Sequence, residues 1–226
     1  MMDYWQENDP NPPALPDALL DVVYRIDCRH LPLDHAYSLS SAIQHALPWL
    51  RDIPQAGIHL IHGAESGNGW MRPQDAAGQH LHLSRRTRMT LRLPTHCVPE
   101  AQQLTGKTLD IDGYPLTVGT ASIKPLVASS TLFSRYVITA TEDETTLITM
   151  IAQQLQSMGI TLRKLLCGKP HSLQTPTRAL LTRSVMIADL TPVESITLQH
   201  QGIGEGRKLG CGLFIPHKGI NAVNAE

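Results

Sequence analysis

Cysteine is sparse and scattered. Cys28, Cys97, Cys167 and Cys211 lie far apart, with no C-x-x-C pair among them. That spacing excludes a zinc ribbon and offers no disulfide framework, so reduced thiols in a cytoplasmic protein are the expectation. Long apolar runs are missing too: none approaches the roughly 20 residues that span a bilayer. The opening MMDYWQENDPNPPALPDALL is acidic and proline-rich where a signal peptide is basic and then apolar. A soluble protein with no membrane partner is expected. Aromatics are few, with two Phe, three Trp and five Tyr. A sheet that stacks splayed bases would want more, so any RNA contact must lean on phosphates, shape and arginine. Net positive charge is also absent, at −1 over 226 residues. The total hides a division. Residues 1–79 carry 4 Lys+Arg against 10 Asp+Glu, and residues 80–226 carry 15 against 10. A neutral chain can therefore hold a basic face.

Residues 1–18, with four prolines, read as a flexible tail. Structure is expected from Asp21-Val-Val-Tyr-Arg-Ile-Asp27, where apolar and polar positions alternate as in a strand. Asp34 can cap a helix from His35 to about Leu47, with Ala36, Leu39, Ile43 and Ala46/Leu47 on one face. Pro48 lacks the N–H that would continue it. Gly57–Ile61 reads as a strand, Gly63–Gly78 as a loop, and residues 81–93 as one long strand. A short helix fits Pro99–Leu104, and Asp112-Gly113 between apolar stretches signals a hairpin.

The same order then restarts: a strand over Leu132–Ala140, then a helix capped by Asp143 with Leu147, Ile148, Ile151, Leu155 and Met158 on one face. Strands follow near Thr161–Cys167 and Thr177–Leu190, then a helix from Pro192 to about Gln201 and a strand over Leu213–Ile215. The expectation is an α+β chain of tandem ferredoxin-like (RRM-like) domains with antiparallel sheets, residues 19–128 and 131–226.

Residues 202–212 read GIGEGRKLGCG. Glycines at this density adopt positive φ and can bring backbone N–H groups up to a phosphate, and Arg207 and Lys208 add charge there. The loop follows a helix and leads into a strand, the reverse of the dinucleotide fingerprint, and it lacks the Gly-Lys-Ser/Thr ending of a P-loop. The pattern resembles the signature GhGxxxxxGhG of the CRISPR repeat-processing ribonucleases of the RAMP superfamily, with Gly202, Gly204, Gly210 and Gly212 as its four glycines. The likeness covers about residues 20–218. Segments such as LSRRTRMTLRLP, STLFSRYV and GRKLGCGLFIPHKG look most like a branch found with a myxobacterial-type CRISPR subtype. The resemblance implies a metal-independent, cofactor-free endoribonuclease that binds CRISPR precursor transcripts. It would cut each repeat by 2′-hydroxyl attack, leaving a 2′,3′-cyclic phosphate and a 5′-hydroxyl. It also implies partners among the subunits of a class 1 interference complex; the alternative is a non-catalytic RNA-binding subunit of such a complex.

Such chemistry suits a histidine near neutral pH. His45 falls opposite the apolar face of the first helix, on a polar stripe with Ser38 and Ser41. A solvated surface histidine is the plain alternative. The resemblance places the catalytic histidine on this helix and so favours His45, with Tyr37 or Ser41 as its companion. His35 and His62 are rivals. His80 and His82 share a strand face but lack the further ligands of a metal site. On the strand expected over residues 81–93, His80, His82, Ser84, Arg86, Arg88 and Arg92 would form one positive stripe for RNA phosphates.

Overall fold

The computed structural model describes residues 18–62 and 79–217. The tail expected over 1–18, except Ala18, and the loop expected over Gly63–Gly78 lie outside the described residues. In chain order the elements are β1 (Leu19–Asp27), β2 (His30–Pro32), α1 (Ala36–Ala46), β3 (Gly57–His59), β4 (His80–His82), β5 (Arg88–Pro94), α2 (Val98–Ala101), β6 (Thr108–Ile111) and β7 (Tyr114–Pro125). They continue with β8 (Thr131–Ile138), α3 (Glu144–Ser157), β9 (Lys164–Gln174), β10 (Ala179–Ala188), α4 (Pro192–Gln201) and β11 (Ile215–Pro216).

The strands sort into an antiparallel sheet β3-β5-β1-β7-β6, a second antiparallel sheet β11-β8-β10-β9, and a small ribbon β2-β4. Reading β1-α1-β3-β5-α2-β7 and β8-α3-β9-β10-α4-β11 in these orders gives two ferredoxin-like units, as the sequence led one to expect. Each has its own core. Alternation in β1 buries Val22, Tyr24 and Ile26 against Leu39, Ile43 and Leu47 of α1 and its C-cap. The Tyr24 hydroxyl donates to the Ala101 carbonyl at 2.7 Å, which fixes α2 on the same layer. In the second unit Leu147, Ile151 and Leu155 of α3 pack with Val185 and Ile187.

Local signals account for most element ends. Asp143 caps α3 by accepting from Thr146 N–H, and Thr191 and Glu194 close a reciprocal capping box on α4. Asp112 and Gly113, both at positive φ, turn β6 into β7. Pro48 ends α1 in a 3₁₀ turn. Asp34 does not cap α1, correcting the expectation; its Oδ2 accepts from Gln174 N–H of the second unit at 2.9 Å.

The strand expected over residues 81–93 is also corrected. It breaks at a turn, where Thr87 N–H donates to the Ser84 carbonyl and the Ser84 hydroxyl accepts from Arg86 N–H. Short hydroxyl side chains compete locally with the sheet ladder, so His80 and His82 belong to the ribbon and Arg88 to the large sheet. Ile148 is partly exposed, while its neighbours Leu147 and Ile151 are buried. The final strand is shorter than expected, with Leu213 and Phe214 buried ahead of it.

Candidate active site and the clasp between the units

On α1, residues four apart share a face. With Leu39, Ile43 and Leu47 committed to the core, Tyr37, Ser41 and His45 stand on the solvent side, all exposed. They line one open groove of about 900 Å³, whose opposite wall is β6 with the turns at either end of it: Lys107, Thr108, Asp110 and Asp112. Lys107 is the only lysine or arginine among the lining residues. Its Nζ donates to the Ala46 carbonyl at 3.2 Å, which pins it beside the C-terminal end of α1 next to His45. Asp110 is partly committed, since its Oδ1 accepts from Gly113 N–H at 2.7 Å. The groove thus gathers an imidazole, a phenol, a hydroxyl and an ammonium on one wall-to-wall surface. Sequence reasoning missed Lys107 and the two aspartates: no local spacing relates them to α1, and only the Asp-Gly hairpin signal hinted that their strand had a partner.

The rival histidines have other tasks. His35 is buried, with Nδ1 donating to the Pro32 carbonyl at 2.9 Å and Nε2 accepting from Ile61 N–H at 3.2 Å. Both nitrogens are taken, which fixes the neutral tautomer and makes His35 a joint between the ribbon, α1 and the segment after β3. His62 is exposed and is not among the groove-lining residues. His80 bonds the Tyr114 hydroxyl, and His82 meets His30 across the ribbon with ring centroids 4.8 Å apart. No group of three or more His, Cys, Asp or Glu side chains among the described residues could hold a metal ion.

The positive stripe divides. Arg86 is exposed in the turn, and Arg88 is half-buried, with Nη1 donating to the Arg85 and Thr87 carbonyls. Arg92 is corrected outright: it is fully buried and cannot reach RNA. Its Nε and Nη2 donate to the two Asp21 carboxylate oxygens at 2.8 and 3.1 Å. Nη1 reaches across to the Gln199 and Phe214 carbonyls at 3.2 and 2.7 Å. Burial alone would raise the Asp21 pKa. The His59 imidazole, its Nε2 3.7 Å from Asp21 Oδ1, and the Arg92 hydrogen bonds and charge overcome this and hold the carboxyl well below the usual carboxylate range. His59, half-buried beside this pair, is pushed down chiefly by desolvation.

The glycine-rich loop completes the same clasp. The four signature glycines all have positive φ. Their N–H groups are turned inward: Gly202 to the Leu198 carbonyl, Gly204 to Gln154 Oε1, Gly210 to the Arg207 carbonyl and Gly212 to the Tyr136 carbonyl. The expected phosphate cradle of Gly202, Gly204, Gly210 and Gly212 is therefore corrected, because those donors are already satisfied by protein acceptors. A Cβ at Gly212 would strike the Ile203 carbonyl oxygen, and one at Gly210 would come within 2.7 Å of Leu60 in the first unit. The two cations also face the first unit. Arg207 Nε donates to the Gln55 carbonyl and Nη1 to the Gln201 carbonyl, while Lys208 Nζ donates to the Arg51 carbonyl. At Gly57 a Cβ would overlap Leu213, so the strand carrying Gly57 can be approached closely by the second unit.

The fold is shared with solved structures of CRISPR-associated proteins. A solved structure described as an RAMP protein binding different RNA substrates superposes with a TM-score of 0.58 at 15% identity, covering 88% of this chain and 100% of that one. A CRISPR-associated Cas6 protein superposes with a TM-score of 0.59 at 12% identity, again over 88% and 100% of the two chains. In sequence, the CRISPR-associated endonuclease Cas6 of Myxococcus xanthus is 28% identical over 198 residues, which is 87% of this chain and 81% of that protein. The family model described as Cas6 Crispr matches residues 20–219, and the chain belongs to the Cas6 family.

Proposed function

We propose that this protein is a metal-independent endoribonuclease that binds CRISPR precursor transcripts and cuts once within each repeat. Family membership supports the reading, as does the relative named a CRISPR-associated endonuclease. The observation that carries it is the groove in which Tyr37, Ser41, His45 and Lys107 meet. In this reaction the ribose 2′-hydroxyl loses its proton and attacks the adjacent phosphorus. The bond to the 5′-oxygen breaks and that oxygen gains a proton, leaving a 2′,3′-cyclic phosphate and a 5′-hydroxyl. His45 is the proton-transfer group. The Tyr37 and Ser41 hydroxyls hydrogen-bond the phosphate oxygens, and Lys107 offsets the negative charge that builds there in the transition state. Arg86, Arg88 and Lys208 offer charge to the flanking RNA backbone. The cleaved RNA stays bound, and the protein joins other subunits of a class 1 interference complex.

The test is cleavage of a repeat RNA in EDTA. His45→Ala is expected to lower the rate by about a hundredfold or more, the range for losing a general acid–base, with little change in RNA affinity. A 2′-deoxy substitution at the cut site abolishes cleavage and leaves binding. Wild-type rates in His45→Ala remove His45 from the mechanism. RNA retention with no cleavage by the wild-type protein makes it a non-catalytic RNA-binding subunit.

A further inference from the structure

The chain enters β1 at a fixed point. The Ala18 carbonyl, just ahead of the strand, accepts from the Thr95 N–H at 3.1 Å and from the Thr95 hydroxyl at 2.7 Å. Ala18 and Leu19 are thereby held on the rim of a cleft of about 900 Å³ between the two units, which shares no residue with the α1 groove. The apolar part of its walls includes Pro54 and Pro94 of the first unit and Ile196 of α4. Thr197, His200 and Arg207 belong to the polar part, and no carboxylate is among the described lining residues. Arg207 spends two donors on the Gln55 and Gln201 carbonyls, and its buried Nη2 has no hydrogen-bond partner among the described residues. Burial, followed by the Arg92 charge, pushes Arg207 down to about 10. His200 is pushed down by burial and then by Arg92 and Arg207. Both shifts come from positive charge held at a cost, with no anion in the described walls to offset it.

The residues that precede Ala18 have the composition to meet that need. Residues 1–17 contain Asp3, Glu7, Asp9 and Asp17 and no lysine or arginine. Pro10, Pro12, Pro13 and Pro16 follow one another closely within them. Such a run favours the extended polyproline conformation, whose carbonyls have no internal donors, and at about 3.1 Å per residue it spans roughly 20 Å. A stretch that is already extended loses little entropy on docking. Its attachment at the cleft rim makes docking intramolecular, so weak contacts suffice. We propose that residues 9–17 of this chain lie in the cleft between the units as an acidic strap. The Asp9 and Asp17 carboxylates and the proline-flanked carbonyls give Arg207 and His200 acceptors, and Leu15 covers the apolar wall. Because the cleft has walls from both units, the strap braces one against the other. The α1 groove and its chemistry take no part.

The test is photo-crosslinking in the full chain, with a benzophenone amino acid in place of Leu15, followed by peptide mapping. Crosslinks should gather on residues 192–207 and around Pro54 and Pro94. Thr197→Glu adds a carboxylate to the cleft wall and leaves the clasp residues in place. It should reduce these crosslinks about threefold or more, the scale of one partly screened charge contact. Adding Asp9→Lys/Asp17→Lys to Thr197→Glu should restore them. Should Thr197→Glu melt early, Asp9→Lys/Asp17→Lys alone serves as the second variant. It sets cations against Arg207, alters no residue of either core, and should cause the same loss. Crosslinks scattered over the surface, or a cleft pattern indifferent to these charges, overturn the proposal. Crosslinks that join light and heavy chains in an isotopically mixed sample also overturn it, because they make the occupant a second copy's segment.

Discussion

Replacing Arg92 with alanine separates a buried strut from an RNA contact. Arg92 is completely buried and gives four hydrogen bonds, two to the Asp21 carboxylate and two to carbonyls of the second unit. Its removal strands a largely buried carboxylate and two carbonyls at once. Breaking a buried pair by deleting one partner costs about 3–5 kcal/mol. At roughly 2–4 °C per kcal/mol for a chain of this size, the melting temperature should fall by about 10 °C.

The pH dependence adds a second signature. Asp21 is depressed in the folded protein, so its contribution is fully present above the unfolded carboxylate value of 3.8 and is lost as pH falls through its lower folded value. The stability gap between wild type and Arg92→Ala is therefore full at neutral pH and narrows below about pH 4. Urea unfolding at pH 7 and pH 3 reads both. Asp21→Asn/Arg92→Met, which removes charge from both sides, should be less destabilised than the two single changes added together. An Arg92→Ala protein within about 1 kcal/mol of wild type, with a flattened RNA salt slope, would refute this reasoning and return Arg92 to the RNA surface.

Lys107→Ala should slow cleavage by about tenfold to a hundredfold while RNA affinity falls only slightly, because one ammonium among many phosphate contacts matters most where charge develops; equal losses in rate and affinity would make it a plain backbone contact. Gly212→Ala, which drives a Cβ into the Ile203 carbonyl, should cost well over the roughly 1–2 kcal/mol of a left-handed alanine, whereas Gly204→Ala, with nothing within 4 Å of its Cβ, should cost only that strain. Thermal denaturation of the two proteins side by side decides it, and equal melting points would mean that close packing does not set the glycine requirement. His35→Ala should lower stability by about 2 kcal/mol through loss of two buried hydrogen bonds, yet any loss of cleavage rate should track the unfolded fraction; a rate defect in fully folded protein would restore His35 as a catalytic rival.

Whatever depends on short spans was legible along the chain. Alternation in β1, helical spacing in α1 and α3, the Asp143 cap, the Asp112-Gly113 turn and the break at Pro48 are all set within a few residues, and the element order they give was enough for two ferredoxin-like units. The polar stripe Ser38, Ser41, His45 was legible for the same reason: helical geometry fixes which residues share a face before anything packs against it.

The other wall of that groove was a matter for tertiary packing alone, because Lys107 and Ala46, 61 positions apart, meet only once α1 packs beside β6. Packing also overrode the polar pattern expected of one strand through Arg86, Arg88 and Arg92. Alternation reports which side of a strand a residue takes, and the arginine side at Arg92 is covered by Phe214 and Gln199 of the second unit. The glycine loop shows the same limit. Its composition announced positive φ and close approach, but whether its N–H groups faced a ligand or the protein depended on which acceptors the second unit brought near. Gln154, Leu198 and Tyr136 were there to take three of the four.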